Sequence, residues 1–174
     1  MFTRTDIEKY FLAEKQSSTL FIFVGIVAIL LAILFFFLLR SNFYKGAALP
    51  LLLIGILQLS AGIAVFKRSD GDRTRNVYAY DMNPGQLKSE ELPRMQKVNS
   101  NFVIYRWIEI VLLLAGIALL FYFKSKPSGQ FWFGLGLTLA IQAAILLGAD
   151  YEATQRAHSY TKGLEVFLEK FGNG

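Results

Sequence analysis

Two ionisable side chains stand inside a long apolar stretch: Arg106 and Glu109 in FVIYRWIEIVLLLAGIALLFYF, residues 102–123. An ionisable group inside hydrocarbon is costly and by default marks a functional site. A spacing of three puts both on one face of a helix, where they can neutralise each other. At 1.5 Å per residue, Glu109 lies roughly 10 Å inside the near boundary of this stretch. Two amides reach a similar depth from other stretches: Gln58, counted back from Phe66, and Gln142, counted back from Ala149. Gly25 falls at the same level. A layer of Arg106, Glu109, Gln58 and Gln142 has the chemistry to bind an ion, a proton or a lipid headgroup. The competing role is structural. Arg106 would then snorkel to the interface, and the amides would bond across helices for about 1 kcal/mol each.

A second spacing concerns packing. Gly136, Ala140, Ala144 and Gly148 recur every four residues. Small residues at that interval let helix backbones approach closely. Gln142 points to nearly the opposite side. The partner of this face is a helix of the same chain, with Gly25, Ala28 and Ala32 as a matching surface, or a helix of a second copy.

Other chemistry is sparse. His158 is the one histidine and there is no cysteine, which leaves no set of metal ligands and no thiol chemistry. Asp70-Gly71-Asp72 lacks the remaining ligands of an EF-hand loop. Asp150, Glu152 and His158 are near one another, but spacing alone does not make a triad. No glycine-rich phosphate loop is present. The expectation is a protein that is not an enzyme and has no cofactor or bound metal.

The elements that must carry these residues follow from composition. The chain has 174 residues, 54% of them apolar and 18% charged, with a mean hydropathy of +0.41. A soluble domain of this size carries more charge, near 25%. The apolar excess is concentrated in four stretches, about 18–39, 47–66, 102–123 and 130–149. Each has the length needed to cross a hydrocarbon core of roughly 30 Å, and in lipid such a stretch must be helical. The first is too long for a signal h-region, and its flank carries Asp6, Glu8 and Glu14. A soluble enzyme, a nucleic-acid-binding domain and a disulfide-stapled secreted domain are thereby excluded. The sequence predicts an all-α polytopic protein, a single membrane domain built as a four-transmembrane-helix bundle. An N-terminal amphipathic helix, a loop over 67–101 and a tail helix over 150–172 complete it.

Lysine and arginine set the orientation. Thirteen lie in the N-terminal segment, the 67–101 connection and the tail, against four on the other side: Arg40, Lys45, Lys124 and Lys126. Both termini and the long loop are therefore expected in the cytoplasm, with the protein in the plasma membrane (the inner membrane of a bacterial cell). The basic balance of +5 belongs to these segments, and no nucleic-acid partner is expected. The two halves show a faint parallel repeat, in which a shift of 84 lays Arg40-Ser41 on Lys124-Ser125 and Gln58 on Gln142.

The polar segments have local signals. Thr5 and Glu8 have the spacing of a capping box, and Ile7, Tyr10 and Phe11 then share the apolar face of an interfacial helix. Asn83-Pro84-Gly85 is a turn signal. Ser89-Glu90-Glu91 starts a short helix with Leu92, Met95 and Val98 on one side. In the tail, Ala153, Ala157, Tyr160, Leu164, Phe167 and Phe171 recur at steps of three and four, and Gly172-Asn173-Gly174 ends the helix. No Pro or Gly follows Asp150, so the tail should continue the fourth span. Its apolar stripe needs cover, and the helix around Leu92, Met95 and Val98 is the nearest available.

The functional expectation is a small, self-associating integral membrane protein. It would act as a pore or channel-like unit, or as a regulatory subunit with a cytoplasmic protein partner. Two alternatives are a small transporter or lipid-handling protein using the Arg106/Glu109/Gln58/Gln142 layer, and an accessory or immunity protein working with a separately encoded partner.

Overall fold

The computed structural model describes residues 2–172, with side chains for 2–170. The described residues form four long helices: α1 Arg4–Ile33, α2 Asn42–Met82, α3 Leu92–Phe123 and α4 Gln130–Gly172. Each contains a stretch long and apolar enough to cross a membrane. The side chain of Phe171 and the terminal Asn173-Gly174 fall outside the described residues.

The starts and stops have local causes. α1 begins two residues earlier than the Thr5–Glu8 spacing predicts. Thr3 is its cap, and both its backbone N–H (2.8 Å) and its hydroxyl (2.7 Å) donate to the Asp6 carboxylate. Glu8 instead accepts from Arg4, one turn back, at 3.1 Å. At the far end of α1 the turns widen to i→i+5 bonding over Leu34–Leu39. Arg40 then takes a left-handed conformation with φ of 52°, which reverses the chain, and Ser41 caps α2. Pro50 sits in the third turn of α2, inside the helix.

The polar run KRSDGDRTRN does not form a loop. α2 continues through it to Met82, because polarity alone does not end a helix. The run has no proline, and its charges pair along the helix, Arg75 with Asp72 at 3.0 Å and Arg73 with Asp70 at 3.6 Å. The chain turns at Asn83, where Pro84 removes a donor. One helical turn, Pro84–Gln86, and a widened one, Leu87–Glu91, lead directly into α3. The helix carrying Leu92, Met95 and Val98 is thus the first part of the third apolar helix. Likewise, the N-terminal amphipathic segment is continuous with the first apolar stretch instead of lying flat beside it. α4 runs unbroken from Gln130 to Gly172.

The helices pack in the lateral order α1, α2, α4, α3. Each hairpin supplies one inner helix, so α2 and α4 meet at the centre and run parallel. Close backbone approach is confined to a few glycines. A Cβ on Gly25 would lie 2.8 Å from the Gly55 carbonyl, and one on Gly62 would lie 2.9 Å from the Ser18 carbonyl. These fasten α1 to α2. Gly46 lies against the Phe131 backbone and Gly134 against that of Phe43. Thr138 donates its hydroxyl to the Ala47 carbonyl at 3.0 Å, which fastens α2 to α4.

At the end that carries both termini, all four helices share one core. Phe2, Ile7, Tyr10, Phe11, Ala79, Leu87, Met95, Ala157, Tyr160, Leu164 and Leu168 are buried together, with Leu92 and Val98 packed against them. A fully buried side chain of this type contributes roughly 1.5–3 kcal/mol. The apolar stripe of the tail is therefore covered both by the first turns of α3 and by α1.

Candidate functional site

The intramembrane residues singled out by the sequence divide between two interfaces. Gln142 continues the Gly134–Thr138 ridge of α4, which meets α2, and it is buried. Gln58 is also buried, on the ridge of α2 that Ala47 and Ile54 begin, and its Oε1 has no hydrogen-bond partner. Glu109 lies two turns before Gly116 on α3, on the face that meets the other side of α4. It is 6% exposed. α4 therefore passes between Glu109 and the glutamines, and the four residues do not converge on one cavity.

Arg106 makes no ion-pair contact with Glu109, although its charge acts on both Glu109 and Asp150. Its side chain is exposed, and none of the ion pairs among the described residues includes it. Glu109 faces Asp150 of α4 instead, and its Oε2 has no donor. Two carboxylates offer each other only acceptors, so a bond between them requires a proton or a bridging cation.

The small-residue face also divides. Gly136 and Ala140 take the backbone of Gly116: a Cβ on Gly116 would lie 2.7 Å from the Ala140 nitrogen and 2.9 Å from the Gly136 carbonyl. The partner is thus α3 of the same hairpin, and Gly25 is engaged by α2. Ala144 and Gly148 are exposed, and Gly148 has open space where a Cβ would stand.

Sequence reasoning missed a polar network in the terminal-end core. Glu91 is 1% exposed. Arg94 forks onto it at 2.7 and 2.8 Å, and Asn76 of α2 donates to it at 3.1 Å. The Arg94 guanidinium also lies over the Phe11 ring, 5.4 Å from its centroid. A turn away, Glu14 accepts from Arg68 at 2.9 Å and from Ser69 at 3.2 Å. Lys15 pairs with Asp70. Glu14 lies outside the apolar stretch of α1. Burial holds its carboxyl above the ordinary range, with Arg68 pulling the other way. The one readable signal was the i, i+3 spacing of Glu91 and Arg94. Nothing local marks Asn76 as their partner, because that contact depends on how α2 and α3 meet.

A groove of ≈ 530 Å³ runs beside this core between α1 and α4, bordered by Asp6, Lys9, Tyr10, Arg156 and Tyr160. Arg156 crosses it to donate to the Ser17 hydroxyl at 2.8 Å. His158 is exposed, and no group of three or more His, Asp or Glu among the described residues is placed to hold a metal. The chain matches no protein-family model, no curated protein and no solved structure.

Proposed function

We propose that the protein is a non-enzymatic integral membrane subunit that self-associates through its apolar helices and regulates a partner from the cytoplasm. One observation carries this reading. All four apolar helices run without a break into the packed terminal-end core. A helix that shifts in the bilayer therefore moves the surface that a cytoplasmic partner would meet. The excess of Lys and Arg at this end supports a cytoplasmic placement in the plasma membrane. The apolar stretch of α3 is only 11% buried within the chain, which leaves it free to meet lipid or a second copy.

The test uses the full chain in lipid nanodiscs and liposomes. Native mass spectrometry should give a dimer or larger assembly, and a strict monomer in both detergent and nanodiscs would refute self-association. Reconstituted liposomes should show no ion flux; a conductance would replace the regulatory reading with the pore-forming one. Because the chain has no cysteine, Gly85→Cys and Ser128→Cys each give a unique label site. An impermeant maleimide should label Ser128→Cys from outside the cell and Gly85→Cys only after lysis. Labelling in the reverse pattern would invert the topology.

A second reading rests on the buried, partnerless oxygens of Gln58 and Glu109. It makes the protein a small transporter or lipid-handling protein in which those groups meet the cargo. Uptake by liposomes that is abolished by Glu109→Gln, with folding intact, would favour it.

A further inference from the structure

We propose that the hairpin end, opposite the termini, carries a binding site for the headgroup of an anionic phospholipid. The first observation is charge. Arg40, Lys45, Lys124 and Lys126 stand at this end, and the sequence has no Asp or Glu between Glu14 and Asp70 or between Glu109 and Asp150. All four are exposed. None takes part in an ion pair among the described residues. At the terminal end, by contrast, Arg4, Lys15, Arg68, Arg73, Arg75 and Arg94 each have a carboxylate partner. The hairpin side thus carries cations with no carboxylate to compensate them, and Lys124 and Lys126 stand together at the turn joining α3 to α4.

The second observation is shape. The turn joining α3 to α4 bends around a concavity of ≈ 320 Å³ whose border includes Phe123, Lys124, Lys126, Gln130 and Phe133. The Lys126 ammonium rests 3.4 Å from the centroid of the Tyr122 ring, and that of Lys124 lies 5.3 Å from the Phe121 centroid. The rings hold both ammoniums at the edge of the apolar surface without neutralising them. Packing of Gly46 on Phe131 brings the start of α2, and Lys45 with it, beside this turn. Phe123 and Trp132 stack behind it, with centroids 6.1 Å apart. Cations above an aromatic girdle match a phosphate at headgroup depth with acyl chains below. A free phosphate would use the cations but not the apolar rim, so the geometry points to the lipid.

The test measures lipid retention by native mass spectrometry, with the full chain in mixed phosphatidylglycerol and phosphatidylcholine. Wild type should retain phosphatidylglycerol preferentially. Lys124→Gln/Lys126→Gln should reduce that preference by roughly fivefold per lysine removed. Lys88→Gln/Lys97→Gln, at the terminal end, should leave it unchanged. Lys124→Arg/Lys126→Arg keeps the charge and should keep the preference, which separates charge from folding. Equal retention of the two lipids by wild type, or an unaltered preference in the glutamine variant, would overturn the proposal. Displacement of phosphatidylglycerol by an equal concentration of glycerol 3-phosphate would assign the cluster to soluble phosphate compounds and overturn the lipid assignment.

Discussion

Tyr10 of α1 and Tyr160 of α4 lie ring on ring, with centroids 4.2 Å apart and planes 15° apart, although 150 residues separate them in the chain. Phe2 and Phe11 close around the same ring of Tyr160. The first and last helices are therefore joined at the terminal end, while their apolar stretches lie on either side of α2. Tyr160→Asp or Leu164→Asp would place a carboxylate in this core without a partner. Each should cost on the order of 3–5 kcal/mol, the range of an uncompensated buried charge. Lys162 is exposed, and Lys162→Ala should change stability by less than about 0.5 kcal/mol. Thermal unfolding in detergent measures the contrast. Amide exchange over 153–168 should be slow, and rapid exchange throughout would show that the tail is not packed.

Glycines of one chain should respond in opposite directions. Gly116→Ala would push a methyl to 2.7 Å from the Ala140 backbone nitrogen, and a backbone does not yield as a side-chain end does. α3 and α4 must then separate, with a lower melting temperature. Gly71 lies within α2 with nothing within 4 Å of an added Cβ. Gly71→Ala should stabilise by about 0.5–1 kcal/mol, the helix penalty that glycine carries. A melting temperature that falls for Gly71→Ala or rises for Gly116→Ala would contradict the packing described.

Much of this architecture is written in one-dimensional patterns. Apolar stretches of fixed length gave the four helices, and the three-four spacing of Ala157, Tyr160 and Leu164 marked the buried face of the tail. The patterns fail where a partner must be named. Gly136 and Ala140 announce a close approach, but Gly116 and Gly25 are equally good candidates to receive it, and only the lateral order of helices decides. The run 67–76 is polar enough for a loop, and the i, i+3 pairs that support it as a helix are individually weak. Glu109 and Gln142 were legible as buried polar groups at one depth. That they lie on opposite sides of α4 depends on the rotation of three helices about their axes.

Glu14 gives a pH signature. Its carboxyl is held above the ordinary range by burial, with Arg68 lowering it in part. In the window above the ordinary carboxylate value, the folded protein then binds more protons at this position than the unfolded one. Its contribution to stability falls as pH rises through that window and recovers as pH is lowered. Glu14→Gln removes the titration. The stability of wild type relative to this variant should therefore increase as pH is lowered from 7 toward 5. A difference that shrinks over the same range would mean that the Arg68 pairing outweighs burial.

Arg106 and Glu109 share a span and a face in sequence, yet the structure exposes one and buries the other against α4. Their substitutions should separate accordingly. Arg106→Ala removes an exposed charge that acts on Glu109 and Asp150 without a direct ion pair, so it should cost no more than about 1 kcal/mol. Glu109→Gln keeps the size of the buried group and adds two N–H donors, which can reach the Asp150 carboxylate that the native carboxylate can meet only with a proton or cation between them. If Glu109 serves only to hold α3 on α4, Glu109→Gln should equal or exceed wild type in melting temperature and leave liposome permeability unchanged. If it meets a cargo, the variant should remain folded and lose uptake. A variant that is markedly destabilised would contradict both expectations, because it would require a donor to Glu109 that the packing of α3 on α4 does not supply.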